Sequence, residues 1–504
     1  MSDYLFIVQL GPVQSFIAQS RRTADLYTSS RILSMLATAG VTYVAKYPSV
    51  DLISPSLVSG KLPKSVPHRF TFKIKDVTVA GAQSAGEQVE AYLRHIWWDE
   101  YGAKVGDWLL RQVGDGAWVS QFKAQTESWL EVYWYAVEIT SDDAYDEAYR
   151  QAGKGIAARK ATRQYPQLDD TDGYKCTMTG SISALPLNWE ALQKRVGEPR
   201  LRDNERLGAI AMIKRFATDA GCLLGEGKSA SEFPAVDVIA GNDTPDEDAT
   251  TREYSYLAVL HMDGDSMGKL LSGQKTQAAQ TKISQDLSTF SEGVEPIIQK
   301  MKDSSELIYA GGDDVLAFLK LDTALTIANE IRHSFEAVVK GTISAGITIM
   351  NITTPLDIAL ESARKAEEMA KDDYGRDAIV IRDIRSGAIR EVGAHWKVGN
   401  HELTDMITFF QKLFKEDKLS SKIGYEVLTL SMELSAKTEN SEAALSAELS
   451  RLIKRRSDSG KSLTPEETKT VKDYIHALAK AHSWKDAANW LIMARFLAKG
   501  GKRA

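Results

Sequence analysis

Between two short apolar runs, Glu306 to Tyr309 and Val315 to Leu319, stand Gly311-Gly312-Asp313-Asp314. Two glycines suit a tight hairpin, because glycine accepts positive φ and lets a phosphate come close to the backbone. What flanks the hairpin completes a pattern. Upstream lie an apolar strand, Tyr256 to Met262, and a helical stretch over roughly Lys282 to Lys302. Downstream come a helix from about Leu321 to Val339, a strand over Thr342 to Met350, a helix opened by Pro355 and running to about Asp372, and a strand over Ala378 to Ile384; proline suits a first helical turn. The order βαββαβ predicts a ferredoxin-like unit. In that unit the first strand neighbours the hairpin, so Asp263-Gly264-Asp265 at the strand end and Asp313-Asp314 in the turn are expected to converge.

Converging carboxylates point to a hard divalent cation. Magnesium and manganese prefer carboxylate and phosphate oxygens, and two such ions held about 4 Å apart need a cluster of negative oxygens. This segment offers no competing histidine and cysteine set. A hairpin with solvated acids is the bland alternative. The second acidic site, at the matching place in the unit, favours catalysis by Asp263, Asp313 and Asp314.

The rest of the chain frames this unit. Tyr4 to Leu10 is an apolar run that reads as a buried strand, broken by Gly11-Pro12. A helical stretch over Val13 to Tyr47 follows, with a break near Asp25; then come an alternating strand over His68 to Val77, a tryptophan-rich helical region and a strand over Val132 to Ile139. Trp97, Trp98, Trp108, Trp118, Trp129 and Trp134 fit core and subunit packing better than base stacking. The expected fold is α+β: two ferredoxin-like domains, 1–141 and 251–388, a mostly helical insert at 142–250 that holds the polar stretch Tyr165 to Asp172, and an all-helical C-terminal domain at 389–504. The acidic, turn-rich stretch Gly241 to Asp248 reads as a linker, and the basic runs Ile453 to Arg456 and Lys499 to Arg503 as solvated surface.

At 504 residues, with 43% hydrophobic residues, the chain can bury several cores. A net charge of −6 argues against a basic nucleic-acid binder; RNA contacts would be local or shared with partners. Two cysteines, Cys176 and Cys222, cannot make a four-thiolate zinc site and fit a reducing cytoplasm. No leader and no run of about 18 apolar residues is seen, so no membrane partner and a cytoplasmic location are expected.

The stretch Leu307 to Asp314 resembles the GGDD signature of the large subunit of type III CRISPR effector complexes. Tyr256 to Gly268 resembles that family's first metal-binding strand, and Thr342 to Ile347, Pro355-Leu356 and Ala370-Lys371 resemble later elements of its Palm domain. Gly11 to Ile17 is similar to the opening motif of the Cmr branch, and Pro67 to Phe70, Lys175-Cys176-Thr177 and Phe233-Pro234 also match. The resemblance implies two Palm domains, the first a degenerate copy, and a nucleotidyltransferase that joins ATP into cyclic oligoadenylate with Mg2+ or Mn2+, or with Co2+. It implies metal held by Asp263, Asp313 and Asp314, and substrate contacts from Gly264, Asp265, Lys269, Gly311, Gly312, Ser344 and Lys371. For Lys371 a triphosphate contact stands beside a lysine facing the helix dipole; for Ser344 a pocket wall stands beside simple packing; Lys269 reaches phosphate or solvent. The implied partners are the other subunits of the complex, which would hold most of the guide and target RNA. The chain departs from many members in having no His-Asp dipeptide, so no HD-type nuclease is expected, and in having Thr179 where a paired cysteine would stand, so structural zinc is not expected. A silent scaffold and a nucleotide cyclase outside any complex are the rival readings.

Overall fold

A computed structural model describes the chain apart from residues 48, 142–143, 163–172, 199, 226–231, 243–252, 386–388, 436–440, 455–459 and 501–504. Tyr165 to Asp172, most of the linker and parts of both basic runs therefore lie outside the described residues. The structure gathers into two compact units: Met1–Ala235 with Ser266–Gly293 and Ile308–Asp313, and Val236–Asp265 with Val294–Leu307 and Asp314–Ala504.

In the first unit, β1 (Ser2–Gly11), α1 (Gln14–Ala18), α2 (Thr23–Val44), β2 (Val50–Ser54), β3 (Arg69–Val77) and α3 (Val79–Ile96) lead into a π-helical stretch, Trp97–Ala103. Helices α4 (Lys104–Val113) and α5 (Trp118–Glu127) and strand β4 (Glu131–Ile139) follow. The sheet runs β2-β3-β1-β4 with every neighbour antiparallel, the strand order of a ferredoxin-like unit. Strand β1 is apolar without alternation because both its faces are covered. Phe6, Val8 and Leu10 join the core under α2 and α3, while Leu5 and Ile7 pack with Tyr145, Ala148, Ala152 and Ile156 of α6 (Tyr145–Thr162). Strand β2 escapes sequence pattern because it is five residues long and contains Asp51; its pairing to β3 is reinforced by Lys75, 2.9 Å from Asp51. The tryptophans pack: Trp97, Trp108 and Trp118 are buried, and Trp129 lies tilted between Phe16 and Trp97, with ring centroids 4.4 and 4.5 Å away.

Beyond α7 (Trp189–Val196), helix α8 (Ala209–Phe216) is buried over its whole length, charged residues included. Lys214 donates to the carbonyls of Phe16 and Gln19, which fixes the turn between α1 and α2; burial pushes its pKa down to about 7. Arg215 forks onto Asp25 at 2.6 and 2.8 Å and onto Glu205 at 3.1 Å. Burial alone would raise the Glu205 pKa, but the hydrogen bonds and charge of Arg215 outweigh it and hold the carboxyl below its usual range. The folded chain therefore takes up this proton at lower pH than the unfolded chain. The contribution is full above the ordinary carboxylate range and is lost as pH falls through the lowered value. Arg215→Met strips buried Asp25 of its guanidinium and leaves Glu205 with Arg22, 2.9 Å away, and is expected to destabilise this unit by about 3–5 kcal/mol in urea unfolding at neutral pH. A loss under 1 kcal/mol would refute this account of α8.

In the second sheet, α9 (Val236–Ala240) precedes β5 (Tyr256–Gly264). Asn242 and Tyr254 exchange reciprocal hydrogen bonds of 3.0 and 3.1 Å. Helix α10 (Met267–Ser272) and the first part of α11 (Gln277–Lys300) belong to the first unit, where the Ser284 hydroxyl accepts from the Ser56 amide at 3.0 Å. Then come β6 (Glu306–Gly311), β7 (Asp314–Lys320), α12 (Ala324–Val339), β8 (Ile343–Asn351), α13 (Leu356–Asp372), β9 (Ala378–Asp383) and β10 (Arg390–His395). The order β10-β9-β8-β5-β7-β6 contains the expected ferredoxin-like four, β8-β5-β7-β6. Strand β9 adds parallel to β8, and β10 pairs antiparallel to β9. Strand β10 and the two-residue pair β11 (Lys397–Val398) and β12 (His401–Glu402) are absent from the sequence reading, being too short to show a period.

The remainder is helical: α14 (Leu403–Lys415), α15 (Ile423–Ser435), α16 (Ser441–Ile453), α17 (Pro465–Ala481) and α18 (Trp484–Leu497). Thr464 and Glu467 form a capping box at the start of α17. Helix α18 is buried from Ala487 to Ala494, and the Trp490 indole donates to the Gly393 carbonyl at 3.1 Å, which docks the bundle on β10. Among the described residues no helix is long and apolar enough to cross a membrane.

Candidate active site

Strand β5 presents His261 and Asp263 on one face, since alternate residues of a strand point the same way. Its antiparallel register sets Met262 opposite Val315 of β7 and Asp263 opposite Ser344 of β8. One step beyond Met262–Val315, Asp263 comes level with Asp314, the first residue of β7. The β6–β7 hairpin turns on Gly312-Asp313, with Gly312 at a φ of +68°, where an L side chain would be strained. Gly311 closes β6, and Gly264 is paired with Ile343. Asp263, Asp313 and Asp314 are all half-buried.

Asp265 is held by the fold. It accepts from the hydroxyls of Thr342 at 2.8 Å and Ser344 at 2.7 Å and from the Asp377 amide at 3.0 Å, and its own amide donates to the Thr342 carbonyl at 2.9 Å. Three donors on one carboxylate make it a clamp that ties the end of β5 to β8 and to the turn after α13. Ser344 is fully buried and its hydroxyl goes to Asp265. Lys269 is exposed on α10.

Helix α13 covers the face that carries Asp263. Lys371 pairs with Asp263 and also with Glu367, one turn back, at 2.7 Å. Burial alone would lower the Lys371 pKa; its contacts with Asp263 and Glu367 outweigh burial and hold the ammonium above its usual range. Burial raises the Glu367 pKa against the pull of Lys371. The other oxygen of Glu367 stands 3.8 Å from Nδ1 of His261. Burial, with the charge of Arg364, pushes the His261 pKa down to about 4, so the ring is neutral at pH 7. Glu367, His261 and Asp377 were not singled out in the sequence. Glu367 was findable, four residues before Lys371 on a helix.

The helix comes this close because β8 has Gly346 opposite His261. A Cβ there would collide with the Ala363 carbonyl and the Glu367 amide, both backbone. Gly346→Ala is expected to destabilise the domain by about 1–3 kcal/mol, since α13 must lift to make room. An unchanged urea midpoint would show that the approach is not constrained.

The donor set is oxygen throughout, which suits magnesium or manganese. Among the described residues no three Asp, Glu, His or Cys side chains stand together as a metal-holding group. The cation that Asp263 holds in this structure is Lys371. Cys176 is buried and Cys222 half-buried, both as free thiols.

Residues 256–380 match the family described as Cas10/Cmr2, second palm domain, and residues 5–98 match CRISPR-associated protein Cmr2, N-terminal. The CRISPR system Cmr subunit Cmr2 of Pyrococcus furiosus is 34% identical over 174 residues, which is 28% of this chain and 19% of that protein. Among solved structures, a chain of type III-B Cmr-beta in the apo state superposes with a TM-score of 0.69 at 15% identity, covering 93% of this chain and 78% of that one. The same complex bound to cognate target RNA gives 0.70, also at 15% identity, covering 93% and 80%. A chain of the Csm1-Csm4 cassette in complex with cA4 gives 0.54 at 14% identity, covering 98% and 70%. These likenesses are of fold.

Proposed function

We propose that this chain, whose second palm is that of the Cas10/Cmr2 family and whose N-terminal region is that of Cmr2, is the large subunit of a type III CRISPR complex that makes cyclic oligoadenylate from ATP. The carrying observation is the register that brings Asp263 level with Asp314, the first strand residue after the turn of Gly312 and Asp313. In this reading the 3′-hydroxyl of one ATP attacks the α-phosphorus of another, pyrophosphate leaves, and repetition with closure yields the ring. Mg2+ or Mn2+ held by Asp263, Asp313 and Asp314 would make the hydroxyl more acidic and neutralise the leaving pyrophosphate. Asp265 keeps the end of β5 in place through Thr342, Ser344 and the Asp377 amide. Gly312 leaves the turn without a side chain at the point of phosphate approach. Lys371, freed from Asp263, would be the cation offered to a triphosphate. No side-chain general base is assigned. The support from relatives is that a Csm1-Csm4 cassette of the same fold was solved with cA4.

One observation favours a second reading, a silent scaffold that binds guide and target RNA: Asp263 is engaged by Lys371. Mass spectrometry of the products formed from ATP by the purified complex with cognate RNA separates the two. Cyclic oligoadenylate is the expected product, and untouched ATP would leave the scaffold.

A further inference from the structure

The ion pair on Asp263 bears on how a metal reaches this site, an inference that rests on the reading just given. Lys371 stands on the carboxylate that the metal would need. Its side chain is 17% exposed, against 30% for Asp263 and 7% for Glu367, so solvent screens the contact only in part. Lys371 has a second anion within reach, Glu367 at 2.7 Å, on its own helix. Glu367 is itself placed by the close packing of α13 over Gly346 and is buried, with His261 3.8 Å away. A long flexible side chain with two carboxylates in range can leave one without giving up the other.

We propose that Lys371 is a built-in competing cation on Asp263, and that Glu367 is a positioning residue that keeps Lys371 when a divalent metal displaces it. The metal exchanges with an ammonium, and charge on Asp263 is balanced before and after. Without the Glu367 charge, as in Glu367→Gln, the Lys371 charge rests on Asp263 alone, so the metal meets a stronger competitor.

Binding of Mn2+ alone to the nucleotide-free full-length protein, followed by calorimetry, tests this. Lys371→Met is expected to bind up to about fivefold more tightly, the upper end for removal of one partly exposed ionic contact. Glu367→Gln is expected to bind more weakly than wild type. The double variant Lys371→Met, Glu367→Gln removes both charges, avoids stranding a buried carboxylate, and should also bind more tightly than wild type, since it has no competing ammonium. A long-range charge effect would give the same signs, so a second readout is needed. Amine acetylation of Lys371, read by mass spectrometry against exposed Lys300, should speed up when Mn2+ is added to the wild-type protein. Unchanged Mn2+ affinity in the methionine variants, or unchanged Lys371 labelling at saturating Mn2+, overturns the proposal. Asp263→Asn separates this from the reading beneath it. If Asp263→Asn loses Mn2+ binding while the Lys371 tests fail, only the competing cation is rejected; if it binds Mn2+ as wild type does, the metal assignment falls and this proposal with it.

Discussion

Asp313→Ala combined with Asp314→Ala is expected to end conversion of ATP by the assembled complex. A single well-placed electrostatic contact to a reacting group is worth about 10²–10³ in rate. This change removes two of the three carboxylates proposed to hold the metal, so the expected loss runs beyond the range of ordinary product assays. The fold should survive. Gly312 sets the turn by its backbone, and the strands on either side are held by apolar residues such as Ile308, Val315 and Phe318, all buried. Cyclic product at near wild-type rate from a folded double variant would remove these residues from the catalytic assignment.

The parts of this fold that were legible carry strong periodicity or a required residue type. The apolar runs of β1, β5 and β8, the glycines of the hairpin and the proline before α13 are such parts. Strand β2 was hidden because its stability comes from β3, across the Asp51–Lys75 pair, and not from its own five residues. Strand β10 was hidden for the same reason: it is added by β9 and by the bundle through Trp490, neither of which a local pattern reports. The acidic residues were visible as a set, but the division of labour among them was not. Asp265 looks like its neighbour Asp263 in sequence. Only contacts to Thr342, Ser344 and Asp377, far along the chain, make it a clamp. Lys371 was visible as a helix-end cation; its choice of Asp263 as a partner depends on how closely α13 approaches β8 at Gly346.

The isolated chain is expected to be a poor enzyme, with cognate target RNA in the assembled complex raising the rate by at least about 100-fold, the scale on which small misplacements of reacting groups act. Charge is the first reason. A net charge of −6 gives no broad basic surface for a polyanion, so guide and target RNA should be held mainly by partner subunits and sensed indirectly. The state of the carboxylates is the second. Asp263 is engaged by Lys371, so under the proposed function that contact has to give way before metal and two nucleotides are aligned. A trigger that favours metal on Asp263 over Lys371 would complete it without any change in the core of the palm. Single-turnover rates for the chain alone, the complex with guide RNA, and the complex with guide and cognate target measure the effect. A large rise only in the third is the expected result. Equal rates in all three would reject gating by RNA and would favour a nucleotide cyclase that works outside any complex.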